Sequence, residues 1–270
     1  MIALTNCKIN LGLSIIGKLA NGYHALETVF YPVPWYDGLE ILDAATFQYT
    51  NLGIPIPGPA EDNVCIRAYR ALQQDFDLPP VHLIHTKRLP MGAGLGGGSA
   101  NAVGVLKLCS SQFDLNLSND QLVSYANKLG SDCAFFVENR PALGSGTGQD
   151  LKPIALDLSA YYIALIYPGF GVSTVEAYAG ITPKIAAYAL SDLASLPLPQ
   201  WRSVVANDFE KTIFERHPIL PSIKKKLYHS GAIYAAMSGS GSAIFGLFQK
   251  KPTASVLQGH SGFIGSLSQA

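Results

Sequence analysis

The densest chemical signal in the chain is the run Lys87-Arg88-Leu89-Pro90-Met91-Gly92-Ala93-Gly94-Leu95-Gly96-Gly97-Gly98-Ser99-Ala100. Five of the seven residues from Gly92 to Gly98 are glycine. Glycine tolerates positive φ and lets a backbone approach a ligand closely. A β-forming segment, Val81–Thr86, leads into the loop, and a helical pattern from about Ser99 to Leu108 leads out. Such a junction gathers backbone N–H groups and the positive end of a helix at one point, where a phosphate chain binds. Ser99 adds a hydroxyl for phosphate or for its magnesium ion. A flexible linker is the competing reading, and the regular elements on both sides together with the apolar Leu95 argue against it.

Three phosphate-binding designs can be compared with this run. The P-loop needs GxxxxGK[ST], and no lysine follows these glycines. The Rossmann pattern GxGxxG is formally met by Gly92, Gly94 and Gly97, with Asp114 downstream. That pattern alone is weak, and the strand before it carries His82, His85 and Thr86, whereas a central parallel strand is usually apolar throughout. The third design, PxxxGLGxGS, fits residue for residue from Pro90 to Ser99.

Other residues have chemistry of their own, each beside a plainer use. Asp132 stands after Gly130 and before the apolar run Ala134-Phe135-Phe136-Val137. A carboxylate there is either functional or the N-cap of a helix. Lys8 falls in an expected strand and either points to solvent or serves a buried site. Asn10 shares its face and either orients a ligand or makes a cross-strand bond. Tyr23 and His24 follow Asn21-Gly22, which reads as a turn with a packed tyrosine or as a recognition element. Asn63 is an N-cap candidate or a nucleotide contact. Ser238-Gly239-Ser240-Gly241-Ser242 reads as a hairpin turn.

The elements that must position these groups follow from periodicity and turn residues. Residues 2–13 alternate around Cys7, Ile9, Leu11 and Leu13 as a strand, and 23–33 and 38–52 are rich in β formers. Residues 63–76 carry a helical stripe of Val64, Ala68, Ala71 and Leu72. Ser118 and Gln121 form a capping box for a helix over Leu122–Leu129 that Gly130 stops. Residues 139–153 read as a linker, 161–167 as an apolar strand, and 174–190 as helical stretches broken near Pro183. Ala232–Met237 and Ala243–Phe248 read as two strands joined by the serine-glycine run. Interleaved strands and helices predict an α+β protein of two domains meeting near residue 150.

Composition narrows the class further. Of 270 residues, 48% are hydrophobic and 14% charged, which fits a folded chain with a real core. Lys+Arg and Asp+Glu balance at 19 each, so no long-range field favours nucleic acid or an anionic membrane. Cys7, Cys65, Cys109 and Cys133 have neither CxxC spacing nor a zinc pattern, which predicts reduced thiols. No signal-peptide pattern and no apolar run of about 18 residues is present, so the expected location is the cytoplasm.

The Pro90–Ala100 loop resembles the ATP loop of the GHMP kinases. Lys8-Ile9-Asn10-Leu11, Asn21-Gly22-Tyr23-His24, Glu27-Thr28-Val29, Leu129-Gly130-Ser131-Asp132-Cys133 and Ser238-Gly239-Ser240-Gly241 resemble one branch of that family, in family order over nearly the whole chain. The resemblance implies ATP-dependent phosphorylation of the 2-hydroxyl of 4-diphosphocytidyl-2-C-methyl-D-erythritol, a step of the non-mevalonate route to isoprenoid precursors. It implies Mg2+ and a small-molecule substrate carrying a cytidine diphosphate group, and it leaves the oligomeric state open. It also implies the two-domain GHMP kinase fold: an N-terminal ribosomal-protein-S5-like α/β domain over residues 1–150 and a ferredoxin-like C-terminal domain over 151–270.

By the same resemblance Asp132 is the catalytic base and Lys8 its cationic partner, holding the carboxylate ionised and compensating phosphoryl charge. Tyr23 and Tyr178 stack on the cytosine, His24 bonds its edge, Asn10 and Thr174 lie beside the reacting groups, and Asn63 lies near the nucleotide. Asn21, Cys7 and Gln149 depart from the family's usual Asp, Ala and Glu without removing a proposed chemical group. Two alternatives stay open: another GHMP kinase acting on mevalonate phosphate or homoserine, which Tyr23-His24 argues against, and a non-catalytic nucleotide-binding regulator, which the presence of both Lys8 and Asp132 argues against.

Overall fold

Strict alternation of buried and half-buried residues makes Val81–Lys87 a strand, as its β-branched residues predict. The computed structural model, which describes residues 1–270 apart from Asn21, Ala187 and Ala270, contains most of the expected elements. The Asn21-Gly22 turn falls partly outside the described residues. Contacts divide the chain into two units, each discontinuous in sequence. The first holds Met1–Cys7, Trp35–Pro90 and Gly96–Asn139, and the second holds Lys8–Pro34, Met91–Leu95 and Arg140–Ala270. Two long strands, β1 (Ile2–Lys18) and β2 (His24–Asp43), contribute to both.

In the first unit these are joined by β3 (Gln48–Gly53), α1 (Val64–Asp75), β4 (Val81–Lys87), α2 (Gly97–Gln112), α3 (Asn119–Leu129) and α4 (Cys133–Glu138). β4 pairs in parallel with β3 and antiparallel with β2, where Gly38 lies opposite Thr86 and Asp43 opposite Val81. Its inward face therefore carries Val81, Leu83, His85 and Lys87. α1 buries Cys65, Ile66, Ala68, Tyr69 and Leu72, the stripe of an amphipathic helix. α2 is buried over most of its length, and a Cβ at Gly104 would stand 2.4 Å from Thr5 Cγ2, so this glycine sets how closely the helix approaches the strand. The capping box of α3 is formed in both directions, and the Gly130 N–H donates to Ala126 O at 3.2 Å where the helix ends.

The second unit adds β5 (Ala142–Ser145), β6 (Asp150–Pro153), β7 (Tyr162–Tyr167), α5 (Thr174–Tyr178), α6 (Leu198–Val204), α7 (Phe209–Arg216), α8 (Ile219–His229), β8 (Tyr234–Met237), β9 (Ile244–Phe248) and β10 (Ser261–Ser266). β10, β7, β9 and β8 form an antiparallel sheet in that order. Its core joins Leu13 and Ile15 of β1 to Ala164, Ile166, Phe209, Ile213, Leu220, Leu227, Met237 and Ile244. Each such large aliphatic residue contributes about 1.5–3 kcal/mol on burial.

Two expectations are corrected. Residues 139–153 are not a linker: β5 and β6 form an antiparallel hairpin, and β5 also pairs with β2, Thr28 opposite Gly144. The density of Gly, Ser and Thr that suggested a linker belongs to the turn between two four-residue strands. Among the described residues of 174–190 the helical pattern yields only the five-residue α5, with Gly180 at φ +86° and Pro183 following it.

Candidate active site

In the first unit the glycine-rich segment ends as the start of α2. Gly96, at φ +67°, is the N-cap and has no side chain to bond the first N–H groups of the helix. Gly97, Gly98 and Ser99 form that first turn, so unsatisfied donors and the helix dipole coincide there. Lys87 and Leu89 lie under the turn: a Cβ at Gly97 would stand 3.2 Å from Leu89 Cβ and 3.3 Å from Lys87 Nζ. The turn at Gly130 brings Cys133 next to Ser99. Burial pushes the Cys133 thiol up to about 11, with the Ser99 hydroxyl bonded to it acting in the opposite direction.

Asp132 is half-buried and immediately precedes α4. It occupies the N-cap position, yet its side chain makes no capping hydrogen bond. The plainer use of this carboxylate is therefore not what the fold makes of it. Asn63 is the N-cap of α1: its Oδ1 accepts from Cys65 N at 2.9 Å, and its Nδ2 donates to the Tyr49 hydroxyl at 2.9 Å.

The first unit also contains a buried charge pair that sequence reasoning missed. Asp37 is fully buried and accepts from Lys87 Nζ at 2.5 Å, Arg88 N at 2.6 Å and Leu89 N at 2.7 Å. Burial pushes its carboxyl up, but His85, the Lys87 charge and the Leu89 N–H together outweigh burial and bring it down to about 2. His85 and Lys87 stand two apart on one strand, and that spacing was the available signal. Asp37 itself carries no local signal, because only the pairing of β2 with β4 brings it to this strand end.

In the second unit Lys8 is 3% exposed, so it does not point to solvent. Its Nζ donates to Asn10 Oδ1 at 2.6 Å and to Gly94 O at 3.0 Å, and lies 5.2 Å from the Phe30 ring centre. Asn10 Nδ2 donates to Thr28 Oγ1 at 2.9 Å, and Asn10 N donates to Ser238 Oγ at 3.2 Å. Ser238 Oγ donates to Gly94 O at 2.9 Å.

Residues Met91–Leu95 are laced by their carbonyls. Gly92 O accepts from Val172 N, Ala93 O from Ala243 N, and Leu95 O from Lys8 N, while Gly94 O takes Lys8 and Ser238. Four successive carbonyls are thus engaged, and among the described residues no backbone carbonyl is bonded by their N–H groups. Gly94 has φ +77°, and a Cβ there would stand 2.0 Å from Ser238 O, so no other residue fits. The Ser238–Ser242 run is both the β8–β9 turn and a support for the glycine segment.

The expected base-binding residues are also in the second unit. His24 stacks on Tyr178 with centroids 4.8 Å apart and planes at 19°, and Tyr178 meets Phe209 edge-on at 4.9 Å. Tyr23 is 67% exposed. The structure brings His24 onto Tyr178. Thr174 is exposed in the first turn of α5, which the Ser173 hydroxyl caps through Glu176 N at 3.1 Å. Glu176 in turn pairs with His217 at 2.8 Å. All four cysteines are buried and none forms a disulfide.

These features meet their counterparts in known proteins. Over 250 residues, covering 93% of this chain and 92% of the relative, the chain is 45% identical to a protein of Parabacteroides distasonis named 4-diphosphocytidyl-2-C-methyl-D-erythritol kinase. The chain belongs to that kinase family. A relative of the same name from Bacteroides thetaiotaomicron is 46% identical over 94% of each chain. The GHMP kinases N terminal domain matches residues 63–140, and the GHMP kinases C terminal domain matches 189–259. A crystal structure of 4-(cytidine 5'-diphospho)-2C-methyl-D-erythritol kinase superposes with a TM-score of 0.85 at 28% identity, covering 98% of both chains. The α+β GHMP kinase fold expected from the motifs is the fold of this family member, and its activity is that of an ATP-dependent small-molecule kinase. No helix among the described residues is long and apolar enough to cross a membrane.

Proposed function

We propose that the chain transfers the γ-phosphoryl group of ATP to the 2-hydroxyl of 4-diphosphocytidyl-2-C-methyl-D-erythritol, in the cytoplasm, as a step toward isoprenoid precursors. The observation that carries the reading is the buried Lys8, held by Asn10 and Gly94 O within a family whose relatives bear that substrate's name. A lysine taken out of water to that degree must answer a charge.

The roles follow residue by residue. Met91, Gly92, Ala93, Gly94 and Leu95 offer N–H groups to the phosphates, and so do Gly96, Gly97, Gly98 and Ser99 at the α2 N-terminus; Pro90 and Ala100 bound the run. Asn63 contacts the nucleotide. Asp132 accepts the proton of the substrate hydroxyl as its oxygen bonds to the γ-phosphorus and the bond to the ADP oxygen breaks. Lys8 compensates the charge on the transferring group, and Asn10 and Thr174 orient the hydroxyl. His24, Tyr178 and Tyr23 recognise the cytosine, a flat base that needs aromatic contact and edge hydrogen bonds. Mg2+, when bound, would supply the remaining charge neutralisation at the phosphates. The residue that would hold the ion is Ser99, through its hydroxyl. We assign the N-terminal family domain to residues 1–150 and the C-terminal one to 151–270, which puts the two matched segments on opposite sides of the boundary.

The deciding experiment is a coupled ADP-release assay with Mg-ATP and 4-diphosphocytidyl-2-C-methyl-D-erythritol, with mevalonate, mevalonate phosphate and homoserine as controls. Turnover with the cytidyl substrate alone is expected. Turnover with a control alone would overturn the substrate, and silence on all four from protein that binds ATP would make the chain a regulator.

A further inference from the structure

Between β2, β3, β4 and the head of α1, all within the first unit, lies a buried polar chain that no expected role uses. Asp37 is 0% exposed and His85 is 1% exposed. Three hydrogens from the end of β4, on Lys87 Nζ, Arg88 N and Leu89 N, converge on the Asp37 carboxylate. On its other side His85 Nε2 lies 3.8 Å from Asp37 Oδ2 and makes no hydrogen bond of its own. His85 Nδ1 meets the Tyr49 hydroxyl at 3.1 Å, and the Tyr49 oxygen accepts from Asn63 Nδ2 at 2.9 Å.

The direction of these bonds is fixed from both ends. The Cys65 N–H requires an acceptor, so Asn63 turns its Oδ1 to it and its amide N–H toward Tyr49. An ionised carboxylate only accepts, so with one proton on the imidazole Asp37 selects the Nε2–H tautomer, leaving Nδ1 to accept from the Tyr49 O–H. We infer that Asp37, His85 and Tyr49 are positioning residues for the nucleotide: one buried carboxylate sets both the strand end that enters the glycine run at Pro90 and, through His85 and Tyr49, the amide of Asn63. This rests on the reading of Asn63 as a nucleotide contact. A strand end and a helix cap meet a ligand in fixed register only if both are tied to one rigid support. The apolar sheet around the chain cannot set their polar atoms, because hydrophobic contact has no direction.

The test is steady-state kinetics with the full chain, varying ATP and the cytidyl substrate separately, with calorimetric ATP binding as a second readout. Tyr49→Phe removes one hydroxyl and keeps the ring. It should raise the KM for ATP and the ATP Kd roughly three- to tenfold, the worth of one hydrogen bond, and leave kcat and the KM of the cytidyl substrate unchanged. Asn63→Ser keeps an N-cap oxygen and removes the amide; it should raise the KM for ATP at least as much, and adding Tyr49→Phe to it should have no further effect. Asp37→Asn should raise the KM for ATP more than Tyr49→Phe does, and where it fails to fold Tyr49→Phe still decides. If Asn63→Ser raises the KM for ATP and Tyr49→Phe does not, the relay is wrong and the nucleotide reading stands. If Asn63→Ser leaves the KM for ATP unchanged, the nucleotide reading of Asn63 falls and the relay with it. A parallel rise in both KM values, or full additivity in the double variant, would reduce the chain to general packing and overturn the proposal.

Discussion

At the scale of single residues, burial converts ordinary side chains into committed ones. Lys8 is an unremarkable strand lysine by composition, yet its ammonium is enclosed and bonded to Asn10 and Gly94 O. Asp132 sits where aspartate usually caps a helix, yet its carboxylate does no capping. Replacing it by Asn keeps size and polarity while removing the carboxylate proposed as the base. Asp132→Asn should lower kcat by roughly 10²–10⁴, the usual worth of a general base, with the melting temperature within a few degrees of the parent. Turnover within a factor of two of the parent would remove Asp132 from the mechanism. The family motifs made Lys8 and Asp132 legible in the sequence. Asp37 and His85 were not, because Asp37 and Lys87 lie 50 positions apart and only the β2–β4 register sets them side by side.

At the scale of elements, the glycine run is the segment whose backbone is most tightly fixed by its own carbonyls. The carbonyls of Gly92, Ala93, Gly94 and Leu95 are all engaged, which fixes four consecutive peptide planes. A side chain at Gly94 meets both a positive φ and the Ser238 carbonyl. Gly94→Ala should therefore cost about 1–3 kcal/mol of stability and lower turnover more than tenfold, because the Gly94 carbonyl that holds Lys8 must move. Ser118→Ala breaks the capping box of α3 at a comparable cost of about 1 kcal/mol. It should leave kcat intact, so urea melts beside kinetics of the two variants separate local geometry from mere loss of stability. A Gly94→Ala protein with normal turnover would show that the run tolerates displacement. Of the elements themselves, α1, β4 and α3 were legible because their periodicity and caps are local. The β5–β6 hairpin was not, because strands of four residues carry too little pattern to outweigh their glycine-rich turn.

At the scale of the whole molecule, both units draw their cores from strands and helices far apart in sequence, and the first unit encloses every thiol. Cys7, Cys65, Cys109 and Cys133 are all buried, and none forms a disulfide. Burial alone raises Cys109 to about 12, and it raises Cys65 to about 12 against the opposing charge of Lys87. In the native protein an aromatic disulfide reagent at neutral pH should modify none of the four within minutes, and all four should react after denaturation in guanidinium. A thiol that reacts rapidly without denaturant would show that its unit opens on that timescale.

The sequence by itself determined the class of protein, the glycine-rich run and most regular elements, because these depend on neighbours within one turn or one strand: glycines at fixed spacing, Ser118 with Gln121, and alternation along β4. It also carried the family's identity, since its motifs keep their order from Lys8 to Ser238. Only the tertiary structure decided that Lys8 is buried, that Asp132 does not cap, that His24 lies on Tyr178, and that Asp37 binds the end of β4. Each of these depends on which surface a strand turns toward a distant partner. That choice is made by the summed burial of the whole core and by sheet register, which no local window of residues contains.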